Sequence, residues 1–463
     1  MTVSRIFPPS TALALLLALG ACAAVGPDPS DIATPGVQAS FAEGEAAPLG
    51  QVGLSTFWTG YQDRLLSQLI AQGLESNLDI MAANERIRAA EADLQAAQPW
   101  AAQITGDSGA ARTRSGGDGR VTGTANSANL SAGFVFDLFG GARRAREGAA
   151  AGYASAGAQA EVTRLAWLAE VIAAYADARF YQQSMALTRD TIRSREQTLS
   201  VTQNMQGMGL ATDLDTAQTE ALLQTARADL PAQEAQFNAQ VYRLSTLLNQ
   251  QAGPLMARMQ AGAAPLRIPP GPGTGVPAEL LTNRPDLRAA RHDLARALAA
   301  VGVATADTLP AISLSGTVSD TGGAQSWSFG PRLSLPVANQ GVLQAARTKR
   351  ISEARQADLA WRSGVAAAVE DVQTRQSNLR RYRQRAAALD QAAQSHDRAY
   401  ALARESFEAG ATTLVDLLDV DRQRASARQQ AAQARNQAAR EWAALQIATG
   451  AGAAVQRVGG TGG

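Results

Sequence analysis

The feature that most constrains this chain is the length of its uninterrupted helical stretches. No proline occurs between Pro99 and Pro231, and none follows Pro336. Proline inside a helix removes a backbone donor and clashes with the preceding turn, so these spans permit very long helices. The sequence reads as one helix over about 140–206 and another over about 341–408. A helix of about 65 residues is about 100 Å long at 1.5 Å per residue. No single compact domain of this size contains such a rod. Leu379, Tyr382, Ala386, Leu389, Ala393, His396, Tyr400, Ala403 and Phe407 step by 3 and 4 without a break. At an offset of 201, Ala178, Tyr181, Met185, Thr188, Ile192, Arg195 and Leu199 keep the same register, with Thr188 and Arg195 as polar exceptions. A sustained 3.5-residue stripe predicts coiled-coil packing. His396 lies on that stripe and reads as a seam residue rather than a ligand.

Composition agrees with close-packed helices. The chain is 46% hydrophobic but only 5% aromatic, its apolar share being largely alanine. After residue 22 no apolar run is long enough for a membrane-spanning helix. A net charge of +1 gives no footprint for nucleic acid. One cysteine and two histidines argue against a structural zinc site and allow no internal disulfide. No metal site and no cofactor are expected.

The amino terminus is an address. Arg5 precedes a short apolar run, Thr11 to Gly20, which reads as a secretory signal. It leads into Leu19-Gly20-Ala21-Cys22, which looks like a bacterial lipobox, the alternative being an ordinary signal peptide with an incidental cysteine. The expectation is a signal peptide over 1–21 and a diacylglyceryl, N-acylated Cys22. Several acyl chains together anchor a protein durably to a membrane.

The chain is also internally duplicated. Asn77-Leu78-Asp79-Ile80 matches Arg284-Pro285-Asp286-Leu287 at an offset of 207, and Gly209 and Asp215 match Gly410 and Asp416 at 201. The expected organisation is a lipid-anchored tether over 22–56 and a first repeat over 57–262. A Pro/Gly linker follows over 263–276, then a second repeat over 277–450 and a flexible tail over 451–463. Each repeat contains a β-hairpin, about 102–138 and about 311–335, and a helical hairpin, about 140–249 and about 341–449. The strands rest on alternation, clearest where Trp327, Phe329, Pro331, Leu333 and Leu335 alternate with small or polar residues. The partner strand near 102–114 is weak. Glycine-rich loops are expected at Ser115 to Gly123 and Ser319 to Ala324. Four strands cannot close a barrel with a lumen, whereas several copies of the chain could. The fold class is therefore mixed α+β, mostly long helical hairpins.

With lipobox, duplication, β-hairpins and helical hairpins in hand, the chain resembles the TolC family. More narrowly it resembles the outer-membrane lipoprotein channels of resistance-nodulation-division (RND) efflux systems. Val25-Gly26-Pro27-Asp28, Phe136-Asp137-Leu138-Phe139-Gly140, Asn283 to Leu287, Leu335-Pro336-Val337 and Gly410 to Asp419 carry the resemblance. One departure is Gln103, where the second repeat has Pro310. The resemblance implies a homotrimer in the outer membrane, a twelve-stranded β-barrel and a periplasmic helical tunnel. It also implies a periplasmic adaptor (membrane fusion) protein and an inner-membrane RND pump as partners.

Nothing in the sequence looks catalytic: it has no nucleophile elbow, HExxH or P-loop, and an enzyme is not expected. The resemblance places a pore constriction at Asp416 and Asp419, which share a helical face. The same acids also suit a helix amino terminus. Family members often carry a latching arginine where this chain has Thr412, with Arg422 and Arg424 the nearby alternatives. Met208, Gly209 and Leu210, with Gly410 and Ala411, are the expected adaptor-contact tips, and plain turn chemistry would use the same glycines. The leading expectation is a passive exit duct for small molecules. The outer component of type I protein secretion and a poreless coiled-coil lipoprotein are the alternatives.

Overall fold

The computed structural model of the chain describes residues 24–44, 47–98, 102–114, 122–262, 264–271 and 273–454. The signal segment and Cys22 lie outside the described residues. The chain divides into two units, one of residues up to 35, 85–158 and 288–364, the other of 36–84, 159–287 and 365 onward.

In chain order the elements are α1 (Arg64–Ser76), α2 (Leu78–Ala96), β1 (Gln103–Arg114), β2 (Thr122–Phe136), α3 (Gly141–Gly207), α4 (Asp213–Leu247) and α5 (Ala252–Gln260). The second repeat supplies α6 (Leu280–Asn283), α7 (Pro285–Ala306), β3 (Ala311–Thr321), β4 (Ala324–Ser334), α8 (Gln340–Glu408) and α9 (Leu414–Ala448). The two longest helices have 67 and 69 residues, as the proline-free spans predict. Helices α4 and α9 each have 35 residues and start and stop 201 positions apart.

The first unit holds one antiparallel sheet in the order β1-β2-β3-β4, so β2 and β3 join the two repeats. Pairing sets Leu130 opposite Val318 and Val318 opposite Trp327. Ala132, Gly316 and Phe329 form a parallel row on the same face. Leu130, Val318, Trp327 and Phe329 are 53%, 56%, 80% and 70% exposed, an apolar face open to its surroundings. The opposite face carries rows such as Asn129, Ser319 and Ser326, where the two serine hydroxyls meet at 2.7 Å. The expected loop from Ser319 to Ala324 is shorter than predicted. Strand pairing runs on to Thr321 opposite Ala324, and Gly322-Gly323 alone make the turn, with φ of 64° and 89°. A two-residue hairpin turn of this kind needs positive φ at both positions.

At the sheet exit the Asp137 carboxylate accepts the N–H groups of Ala142 and Arg143, at 3.0 and 2.9 Å. These are unpaired donors of the first turn of α3, which a carboxylate satisfies while also meeting the positive end of the helix dipole. The segment after Cys22 is clamped here: the Val25 N–H donates to the Phe139 carbonyl at 3.0 Å. Arg144 donates to the carbonyls of Val25 and Ala24 at 3.3 and 3.4 Å. Gly26 has φ of 86°, and a Cβ there would stand 2.7 Å from Gly302 Cα. The Val-Gly-Pro-Asp stretch is thus a close backbone crossing that only glycine fits.

In the second unit, residues 36–44 and 47–56 are docked rather than free. Phe41 is 2% exposed, and the Glu43 carbonyl accepts from Gln376 and Arg380, both at 2.9 Å. The Glu279 carboxylate takes the N–H groups of Leu49, Gly50 and Val276 at 2.8–3.0 Å. Burial of Glu279 opposes ionisation, but those three backbone donors hold its carboxyl below the usual range. The start of the expected tail is packed too. Ala451 and Ala453 are 1% exposed, and the Gly452 carbonyl accepts from Arg164 at 2.8 Å. The linker is anchored through the Pro269 carbonyl to Arg383 at 2.7 Å and the Pro270 carbonyl to Trp442 Nε1 at 2.9 Å. Tyr61 and Phe57 close the core around Trp442, with ring centroids 4.9 and 5.9 Å away.

Candidate functional site: the helical turns and the carboxylates beyond them

Both long helices end in the same way. Gly209 has φ of 74°; its N–H donates to the Gln206 carbonyl at 2.9 Å and that of Leu210 to Met205 at 2.8 Å. Gly410 has φ of 72°, with Gly410 to Phe407 at 2.9 Å and Ala411 to Ser406 at 2.8 Å. This pair of bonds is the Schellman motif, which satisfies the last carbonyls and needs a left-handed residue. The turns differ in their side chains. Met208 and Leu210 are 66% and 69% exposed, beside Leu214 at 64%. The second turn presents only Ala409, Gly410 and Ala411, with Val415 56% exposed just beyond it.

The next helices begin with matched caps. Thr212 and Asp215 form a reciprocal capping box at the start of α4. At the start of α9 the Asp416 N–H donates to Thr413 Oγ1 at 3.2 Å, while that hydroxyl donates to Asp416 Oδ2 at 2.6 Å. The Thr412 hydroxyl adds a longer contact at 3.3 Å. The Thr413 hydroxyl, seconded by the Thr413 backbone N–H, holds the Asp416 carboxyl below the usual aspartate range. Thr412 therefore reaches the carboxylate with its hydroxyl.

Asp419 is exposed like Asp416, and the two share one face while Leu414, Leu417 and Leu418 turn inward onto Tyr400 and Phe407. Asp419 accepts from Gln423 at 2.7 Å and from Arg422 at 3.2 Å. Arg424 turns away. It donates to Asp397 at 2.9 Å and stacks over the Tyr400 ring, 4.4 Å from its centroid. Arg428 joins it on Asp397 at 2.6 Å. Burial pushes the Asp397 carboxyl up, but these two guanidinium groups outweigh it and the net shift is downward.

One pair escaped the sequence reading. Arg195 Nε donates to Asp421 Oδ2 at 2.7 Å and Nη1 to the Leu222 carbonyl at 2.7 Å, with the two side chains 9% and 6% exposed. Arg195 was visible as a polar break in an apolar stripe. Its carboxylate partner had no local signal, standing 226 residues away. Among the described residues no three His, Cys, Asp or Glu side chains gather as a metal site requires.

A family model described as outer membrane efflux protein matches residues 69–250 and 276–451. The chain belongs to the outer membrane efflux protein family. Nodulation protein T of Rhizobium leguminosarum bv. trifolii is 32% identical over 452 residues, covering 94% of this chain and 96% of that one. The pyoverdine export outer membrane protein OpmQ of Pseudomonas putida is 30% identical, covering 89% of this chain and 90% of its own. The solved structure of the outer-membrane channel OprN superposes with a TM-score of 0.84 at 28% identity, covering 93% of this chain and 99% of that chain. As a member of this family the chain is an outer-membrane channel component of an efflux pump. Its four-stranded sheet and long helices are those of the family's channels.

Proposed function

We propose that this protein is the passive, trimeric exit duct of a tripartite pump that exports small molecules such as drugs and other toxic compounds. The observation that carries this is the sheet. Its strands of 12, 15, 11 and 11 residues are long enough to cross a bilayer, for which about 9–11 are needed. One face is apolar and the other small and polar, which suits lipid outside and water inside. Strands β1 and β4 are edges within one chain, and three chains pairing edge to edge would leave none. Acylated Cys22 would anchor the assembly in the outer membrane. The Arg144 and Gly26 clamp begins within four residues of that cysteine, so the anchor would sit next to the sheet exit.

Asp416 and Asp419 from three chains would ring the pore with six carboxylates and favour cations. Asp416 also caps α9, as Asp215 caps α4. Asp419 has no such structural duty, and its counterpart in the first repeat is the neutral Gln218. The selective charge is therefore assigned chiefly to Asp419. The exposed Met208 and Leu210 at the first turn, with Gly209 and the small Gly410 and Ala411 at the second, would receive the adaptor's hairpin. Energy would come from the inner-membrane RND pump through that adaptor. Deleting the gene should sensitise cells to hydrophobic drugs, dyes or detergents, and the intact gene should restore resistance. Unchanged susceptibility, with loss of a secreted protein instead, would favour type I secretion.

A further inference from the structure

The duplication allows the joint between the two helical hairpins to be compared with their far sides. On α3 the stripe positions Thr188, Arg195 and Thr202 are buried. Their equivalents on α8, 201 residues later, are Leu389, His396 and Ala403, and all three are only half-buried. At the centre of the in-chain joint stands the buried Arg195–Asp421 pair. The equivalents of Arg195 and Asp421 are His396 and Glu220. One is a donor on the α8 stripe and the other an exposed carboxylate on α4. Neither has a hydrogen-bonding or ionic partner among the described residues.

The chemistry is conserved with the lengths exchanged. A long donor and short acceptor in the chain correspond to a shorter donor and an acceptor longer by one methylene. A second contact behaves alike. Arg404 on α8 donates to Gln197 on α3 at 3.5 Å; the equivalent of Arg404 is Gln203 on α3 and that of Gln197 is Arg398 on α8, so the two residue types exchange places while α8 keeps the donor. Donor and acceptor again fall on the same kinds of helix. Further from the turns the correspondence ends. Arg440 pairs with Asp177 at 3.2 Å, but the equivalents are Ala239 and Asn378, which form no ion pair.

In the trimer proposed above, the far side of the second helical hairpin meets the far side of the first hairpin of another copy, and we propose which residues close that joint. In that joint His396 donates to Glu220 of the partner subunit, and Arg398 donates to Gln203 of the partner subunit. The contact is head-to-tail, and repeated about the three-fold axis of the proposed trimer it closes a ring. It rests on the trimeric reading above, and it adds which residues meet. A joint closed within the chain by arginine and aspartate is closed between chains, near the turns, by histidine and glutamate.

The test uses the full-length lipidated protein, whose sole native cysteine is Cys22. Glu220→Cys combined with His396→Cys is treated with a short bismaleimide, beside each single variant and beside Arg195→Cys with Asp421→Cys. The 220/396 pair should give covalent dimers and trimers that neither single variant gives, while the 195/421 pair should cross-link within one chain. Native mass spectrometry of untreated protein reports stoichiometry separately. A trimer by mass without 220/396 cross-links overturns this joint and leaves the trimer standing; a monomer overturns both. Independently, His396→Glu should lower the trimer fraction and adding Glu220→His should restore it. Failure of that rescue, in variants with unchanged helix content, also overturns the joint.

Discussion

Replacing Arg195 by methionine should loosen the helical hairpins locally and severely. The guanidinium and the Asp421 carboxylate are 9% and 6% exposed and 2.7 Å apart, so Arg195→Met leaves a carboxylate inside the seam without its cation. Breaking a buried pair from one side typically costs about 3–5 kcal/mol, because the remaining charge has lost its water as well as its partner. The lost bond to the Leu222 carbonyl removes a tie between α3 and α4 as well. At 1.36 kcal/mol per tenfold, amide exchange governed by opening of this joint should quicken by roughly two to four powers of ten. The assay is hydrogen exchange by mass spectrometry on peptides spanning 190–200 and 415–427. Peptides at the far ends of α3 and α9 serve as internal controls. Removing both charges, as Arg195→Met with Asp421→Leu, should return protection to within about tenfold of the parent, since apolar replacements of whole buried pairs are commonly tolerated. A single variant that exchanges within about tenfold of the parent would refute the argument that this pair holds the joint.

Three further outcomes are expected. Gly26→Ala should open the clamp on the segment after Cys22, because left-handed backbone costs an L-residue about 1–2 kcal/mol and its Cβ would stand 2.7 Å from Gly302 Cα; protease cleavage within 24–35 should accelerate, and an unchanged rate contradicts the clamp. Asp419→Asn should weaken cation block while leaving the start of α9 protected, whereas Asp416→Asn should also fray that start, as read by exchange at residues 413–418. Acid should release the contacts of Asp397 in a defined direction. Its folded pKa lies below the unfolded value, so its pairing with Arg424 and Arg428 is at full strength above the ordinary aspartate range and is lost as pH falls through the lowered value. Asp397→Asn should remove that acid dependence from the protection of α8 and α9, and its persistence would assign it to another group.

Much of this was legible in the sequence because it is local. Missing prolines, heptad steps and a glycine at each turn fix helix ends to within a residue or two: about 140–206 against Gly141–Gly207, about 341–408 against Gln340–Glu408. The stripe from Leu379 to Phe407 is buried at every seventh residue, which is the packing its spacing implies. Strand β1 was faint because its own side chains barely alternate; its ladder with β2 from Gln103 opposite Gly133 to Arg114 opposite Thr122 defines it. What composition hid was tertiary satisfaction of backbone groups. Residues 24–56 are rich in glycine and proline and read as a tether, yet Arg144, Glu279, Asn283 and Gln376, scattered through the chain, hold Val25, Leu49, Gly50 and Glu43 in place. Of the candidate site, the glycine turns and the exposed face of Asp416 and Asp419 were readable. The Thr413 hydroxyl bond to Asp416 and the turn of Arg424 toward Asp397 were not, since each depends on a rotamer set by its surroundings.

The most direct test of the central claim is conductance of the purified full-length protein in planar bilayers. The account predicts discrete cation-selective steps from a trimer, with block by multivalent cations that weakens in Asp416→Ala with Asp419→Ala. A correctly folded trimer that inserts and conducts nothing, or whose conductance and block are unchanged in that double variant, would contradict it.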